Sequence, residues 1–244
     1  MKKKKSTTKE RVYLAVIIVL SVVVLAAAAY LVWDHFTEES VSYYQQKCDM
    51  FALENANLAR GQIVFIGDSI TDGCPLDVYY TGLPLATYNR GIGGDSTGGV
   101  LLRLQTSLFD IKPSKIVLMI GINDINGGAP NDVILHNYNA ILSQIKQTLP
   151  DTEVYCVSIL PVNTDLESYT TINVESSTAR IQQINPEIEA LAAKHGYTFV
   201  DLFDEFADEN RQLYRELSND GIHLNDAGYR KYSARLLPFL NRAY

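Results

Sequence analysis

The pattern of apolar and polar positions divides the chain into an unbroken apolar block and a long alternating region. Residues Tyr13 to Trp33 are 21 consecutive positions without a charge, with Ser21 the only clearly polar member. As a helix rising about 1.5 Å per residue, this block measures roughly 31 Å, close to the ~30 Å hydrocarbon core of a bilayer. From about residue 61, short apolar runs rich in Val, Ile, Phe and Tyr alternate with helical patterns. The runs Gln62–Ile66, Ala86–Asn89, Lys115–Ile120, Glu153–Leu160 and Thr198–Leu202 read as buried strands. Val100, Leu101, Leu104 and Leu108 mark one helical face between them, and Val133, Tyr138, Ile141, Leu142 and Ile145 mark another. Ile181, Ile184, Ile188 and Leu191 mark a third, where Pro186 interrupts the pattern and offers a later start with Asn185 as N-cap. A last helix is predicted over about Ala227–Leu240, and a short one near Tyr44, Cys48, Phe51 and Leu53 leads into the alternating region. Alternating strands and helices imply an α/β domain, its parallel sheet covered by helices on both faces. Sites in such domains lie at the carboxyl ends of the strands.

Charge sharpens the reading of the apolar block. Residues 1–12 hold Lys2, Lys3, Lys4, Lys5, Lys9 and Arg11 against Glu10, a balance of +5, while the whole chain carries −7, which leaves −12 for residues 13–244. Basic residues before the block, and Asp34, Glu38 and Glu39 after it, place the N-terminus in the cytoplasm by the positive-inside rule. The expected organisation is a basic cytoplasmic tail (1–12), a single-pass transmembrane signal anchor (13–33), a juxtamembrane segment (34–57) and an extracellular domain (58–244). The competing reading is a secreted protein, with Ala26–Ala28 as the small-residue cleavage site of a signal peptide. The block's length and its aromatic ends, Tyr13 and Trp33, favour the anchor. The acidic remainder disfavours nucleic acid as a partner. Cys48, Cys74 and Cys156 match no zinc or redox spacing; one disulfide among them is open, and Cys156 reads as a buried small hydrophobe. No metal-ligand or cofactor motif appears, and Asp201, Asp204 and Glu205 read as a solvated strand end.

Four segments carry the candidate chemistry. Gly67-Asp68-Ser69-Ile70-Thr71 puts a serine at a strand-to-helix turn, beside N–H groups that favour developing negative charge. Taken alone it reads as a capped turn, and Thr71 breaks the G-x-S-x-G elbow. Gly91-Ile92-Gly93-Gly94-Asp95 is a glycine-rich turn after the second strand, without the G-x-G-x-x-G spacing of a dinucleotide loop. Gly121-Ile122-Asn123-Asp124 follows the most apolar strand, and Asp220-Gly221-Ile222-His223 precedes the last helix. Together they hold a nucleophile, oxyanion donors, and a base with its orienting carboxylate. His35, His136 and His195 stand in no comparable block.

The order and placement of these segments resemble the SGNH (GDSL-type) serine esterases and acyl hydrolases, over about residues 58–244. The details Gly-Ile-Gly-Gly-Asp-Ser and Asp-Gly-Ile-His-Leu-Asn resemble a bacterial lysophospholipase/acetylhydrolase-like branch. The resemblance implies a three-layer α/β/α, flavodoxin-like domain with a five-stranded parallel sheet in the order 2-1-3-4-5. It implies Ser69 as nucleophile, His223 as general base and Asp220 as its orienter. The oxyanion hole would be the N–H groups of Ser69 and Gly94 and the side chain of Asn123, with Gly93 one residue away. Asp124 reads as structural. No cofactor and no metal are expected. The expected activity is hydrolysis of carboxylic esters, O-acetyl groups of carbohydrates first and lysophospholipid or other acyl lipids second, with acyl transfer available to the same residues. A non-catalytic scaffold would have lost one or more of these residues, and all are present. The polar loop Pro161–Val174 is the expected specificity wall, and the residues leave the oligomeric state undetermined.

Overall fold

The structure, a computed structural model, describes residues 8–166 and 174–241. Side chains at 8, 10–12, 14–15, 32–42 and 174–176 lie outside this description, as do Glu167, Ser168 and Tyr169 of the polar loop. The chain divides into two units, with the boundary between Gln46 and Lys47.

Helix α1 (Thr8–Asn55) makes up the described part of the first unit and opens the second. It replaces the short helix expected near Cys48 with a 48-residue one. Its described side chains from 16 to 31 are exposed, Val24 at 66% and Leu25 at 69% among them. Among the described residues no helix is long and apolar enough to cross a membrane.

The second unit is a five-stranded parallel sheet in the order β2-β1-β3-β4-β5. The strands are β1 (Ile63–Gly67), β2 (Thr87–Gly91), β3 (Lys115–Met119), β4 (Glu153–Val157) and β5 (Thr198–Val200). β1 and β3 are buried at every position, as strands covered on both faces must be. Helices α4 (Thr97–Leu102), α6 (Asn131–Thr148) and α7 (Val174–His195) pack side by side, and α9 (Asp226–Leu240) packs with α3 (Leu76–Tyr79), giving the α/β/α layers. Register aligns the chemistry: Gly67 pairs with Gly91 on one side and Met119 on the other. Ser69, Gly94 and Asn123, each two to four residues beyond these partners, therefore leave the same sheet edge. α2 (Ser69–Asp72) and α5 (Ile122–Asn126) start there, and α8 (Phe203–Phe206) follows β5.

Several expectations about the elements are corrected. The run Glu153–Leu160 is a strand only to Val157, and Thr198–Leu202 only to Val200. The residues beyond β4 stay apolar because they form a buried bend. There the Ser158 N–H donates to the Val200 carbonyl and the Ser158 Oγ accepts from the Leu202 N–H. Pro186 lies inside α7 and does not begin it. Its fixed φ suits a helix, and the cost is one backbone hydrogen bond. Asn185 is no N-cap: its buried amide accepts from the Ile159 N–H at 2.9 Å and donates to the Ile159 carbonyl at 3.0 Å. Asp201 is exposed just beyond β5, as expected of a solvated strand end, whereas Asp204 and Glu205 belong to α8 and pair with Arg211 and Arg235.

Candidate active site

Ser69 is the first residue of α2. Asp68, the N-cap, accepts the Ile70 N–H at 3.0 Å through Oδ1, which fixes the turn that presents the serine. The Ser69 hydroxyl lies 2.8 Å from His223 Nε2, although the two residues are 154 apart in sequence. His223 Nδ1 lies 2.6 Å from Asp220 Oδ2. The other carboxylate oxygen accepts the backbone N–H groups of Ile222 (3.0 Å) and His223 (2.8 Å). Burial raises the Asp220 carboxyl, and these three hydrogen bonds outweigh it, so the group sits below the usual carboxylate range. With Nδ1 protonated toward this carboxylate, Nε2 faces the serine hydroxyl as an acceptor. Ser218 closes the loop: its hydroxyl donates to the His223 carbonyl at 2.7 Å and accepts the Gly221 N–H at 2.8 Å. His223 is 44% exposed, so the pair is reachable from solvent.

The expected oxyanion donors lie on three neighbouring segments. The Ser69 N–H is at the first turn of α2, where no intrahelical acceptor exists. Gly93 and Gly94 are distinguished by what their N–H groups do. The Gly93 N–H donates to Asp72 Oδ2 at 3.2 Å, whereas the Gly94 N–H has no acceptor among the described residues. Gly94 sits in a left-handed turn, φ +76°, closed by the Asp95 N–H to the Ile92 carbonyl. The Asn123 amide donates one hydrogen to the Asp95 carbonyl at 2.8 Å, which orients it and leaves its second hydrogen over. Asp124 caps α4, accepting the Thr97 N–H at 2.8 Å and its hydroxyl at 2.6 Å, in keeping with the structural reading.

Several supporting residues escaped the sequence reading. Arg103, 2% exposed, pairs with the equally buried Asp95 at 2.7 Å and donates to the carbonyls of Arg90 and Gly67, at 2.7 and 3.0 Å. A charged residue beside the apolar stripe of Val100 and Leu104 was the available signal. Arg180 of α7 donates to the carbonyls of Ile125 and Ala129 and to Asn131 Oδ1, bracing the segment that holds Asn123. The Tyr229 hydroxyl donates to the Ile70 carbonyl at 2.8 Å, tying α9 to the serine turn. Ile70, Ile122, Ile159, Leu160, Val162 and Ile222 line an apolar pocket that Asp68 also borders. Burial there raises the Asp68 carboxyl to about 7.

The remaining candidates lie elsewhere. No disulfide forms among the described residues, and burial pushes the Cys74 and Cys156 thiols up to about 12. His195 contacts Asn139 at 3.0 Å on the far end of α7. The side chain of His35 lies outside the described residues. Among the described residues no three His, Cys, Asp or Glu side chains gather to hold a metal. The resulting arrangement suits acyl transfer: a serine hydroxyl, an imidazole nitrogen in contact with it, a carboxylate behind the imidazole, and N–H groups on the adjoining turns.

A sequence profile of the GDSL-like Lipase/Acylhydrolase family matches residues 65–231, more than half of the chain. The chain belongs to this family. As a family member it is a carboxylic ester hydrolase. Human platelet-activating factor acetylhydrolase IB subunit alpha1 is 28% identical over 172 residues, 69% of this chain and 70% of that protein. A solved structure from Streptococcus pneumonia, named for platelet activating factor, superposes with a TM-score of 0.79 at 32% identity, covering 88% of this chain and 99% of that one. A GDSL-like lipase from Bacteroides thetaiotaomicron gives 0.71 at 25% identity, over 81% and 98%. The family match bears out the expected family, and the sheet itself has the expected order.

Proposed function

We propose that this GDSL-family hydrolase is a membrane-anchored extracytoplasmic serine esterase acting on short O-acyl esters, O-acetyl groups of carbohydrates first. The observation that carries it is the Ser69–His223–Asp220 chain of contacts, at 2.8 and 2.6 Å. Ser69 attacks the ester carbonyl while His223 takes its proton. The N–H groups of Ser69 and Gly94 and the Asn123 amide hold the oxyanion, and His223 then protonates the departing alcohol. Water activated by His223 releases the acid from the acyl-serine. The acetyl preference is supported by the human relative, named as an acetylhydrolase. Anchoring is supported by the uncharged run Tyr13–Trp33, with six basic residues before it and acidic ones after it, and by the exposure of its described side chains. A second reading, an acyl-lipid esterase, is favoured by the same anchor, which would hold the domain at a bilayer.

The test is hydrolysis of p-nitrophenyl esters from acetate to laurate by the full chain, beside Ser69→Ala, with fluorophosphonate labelling of both. Labelling confined to wild type, and cleavage of acetate above laurate, is the expected result. A Ser69→Ala variant with full activity would sink the nucleophile assignment. A preference for long chains would move the substrate to lipids, and a new ester formed when a sugar acceptor is supplied would make the protein a transferase.

A further inference from the structure

The loop that presents Gly94 is held from outside the four motifs. Asp72, the last residue of α2, accepts the Gly93 N–H through Oδ2 at 3.2 Å. Its other oxygen lies 2.7 Å from Lys47 Nζ, on the last turns of α1. Both side chains are mostly covered, Lys47 at 20% and Asp72 at 22% exposure. Lys47 also stands 5.4 Å over the Phe51 ring, which restricts where its ammonium group can go. The backbone of the same segment is clamped by Asn89, whose amide donates to the Thr71, Asp72 and Cys74 carbonyls and whose oxygen accepts the Gly91 N–H. The peptide that carries the Gly94 N–H is therefore pinned on both sides: by Gly93 on Asp72 before it, and by Asp95 on Ile92 after it.

We infer that Lys47 and Asp72 are positioning residues for the oxyanion hole, Lys47 fixing the Asp72 carboxylate and Asp72 fixing the Gly93 N–H, so that the Gly94 N–H points at the reacting carbonyl. The inference rests on the serine-esterase reading above. Without Lys47, the Asp72 carboxylate loses the ammonium group that holds its Oδ1 at 2.7 Å, and its Oδ2 is no longer fixed toward Gly93. The contact from the Gly93 N–H then weakens, and with it one of the loop's two pins. Oxyanion charge exists in the transition state and not in bound ester, so the loss appears in kcat and not in KM. Loss of an ion pair that only stabilised the fold would instead lower the melting temperature and leave kcat alone.

The experiment measures kcat and KM on p-nitrophenyl acetate, with thermal melting, for the full chain in detergent micelles. The variants are Lys47→Met, Lys47→Arg, Asp72→Ala and the double variant Lys47→Met/Asp72→Ala. Lys47→Met is expected to lower kcat roughly fivefold and Asp72→Ala roughly twentyfold, with KM within about twofold of wild type. Lys47→Arg should restore most of the rate, and the double variant should be no slower than Asp72→Ala alone, because both act through one contact. An active wild type whose kcat is indifferent to Lys47→Met, or a double variant whose losses multiply, overturns the relay by itself. A wild type inactive on every ester overturns the esterase reading, and the relay with it.

Discussion

Asn123 and Asp68 show how much single side chains in this site depend on their neighbours. Asn123 keeps one amide hydrogen on the Asp95 carbonyl, so its remaining hydrogen arrives already oriented. Loss of one oriented oxyanion donor typically removes about 3–4 kcal/mol of transition-state stabilisation. Asn123→Ala should therefore lower kcat on p-nitrophenyl acetate by about 10²–10³ with little change in KM; an undiminished kcat would remove Asn123 from the hole. Asp68 is buried, and burial lifts its carboxyl to about 7 from 3.8. Between those values the folded protein keeps a proton that the unfolded chain has already lost. Stability is therefore lost as pH rises through this window, by an upper bound on the order of 4 kcal/mol. Asn at this position keeps an oxygen for the Ile70 N–H and has no proton to lose. The melting temperature of Asp68→Asn should gain on wild type between pH 5 and pH 8, and parallel curves would contradict the argument.

At the scale of elements, close backbone approach sets the site. Strand β2 meets α2 so closely that a Cβ on Gly91 would lie 2.1 Å from the Asp72 N. Gly91→Ala must push the strand and the serine-bearing helix apart. A loss above about 3 kcal/mol is expected, read as a fall of roughly 6–12 °C in the melting midpoint. The His223 loop is fitted in the same way: Gly221 has φ +89°, and a Cβ there would lie 2.1 Å from the Asn163 carbonyl oxygen. Asn163 also donates its N–H to the Gly221 carbonyl at 2.8 Å, so the bend after β4 holds the loop that carries the base. Arg103 joins the carboxyl ends of β1 and β2 to Asp95 from one buried guanidinium. Arg103→Met leaves the Asp95 charge buried without its partner. It should cost about 3–5 kcal/mol in urea unfolding, and a loss under about 1 kcal/mol would mean that water replaces the pair.

At the scale of the whole molecule, the acidic balance of −12 after residue 12 and the basic N-terminus set different demands on the two ends of the chain. Under the anchored reading, full-length protein expressed in a bacterial host should stay with the membrane fraction through an alkaline carbonate wash. A soluble shortened chain beginning after Ala28 would instead mean a cleaved signal peptide.

Sequence alone determined the elements whose cause is local. The strands β1 and β3 are continuous apolar runs because both of their faces are covered, and the serine turn, the glycine turn and the D-x-x-H block are short motifs whose chemistry lies in adjacent residues. Their order along the chain was enough for the family and, through it, for the sheet order. Tertiary structure decided what no local signal contains. The end of β4 was illegible because residues 158–162 are as apolar as the strand; burial and strand geometry write the same pattern. Pro186 misled because its φ suits a helix while Asn185 spends its amide on Ile159, a residue 26 positions away. The division of labour between Gly93 and Gly94 turns on Asp72, and that of Arg103 on a carboxylate eight residues off. A hydrogen bond is settled by where two groups meet in space, and for distant residues that meeting exists only once the sheet has set its register.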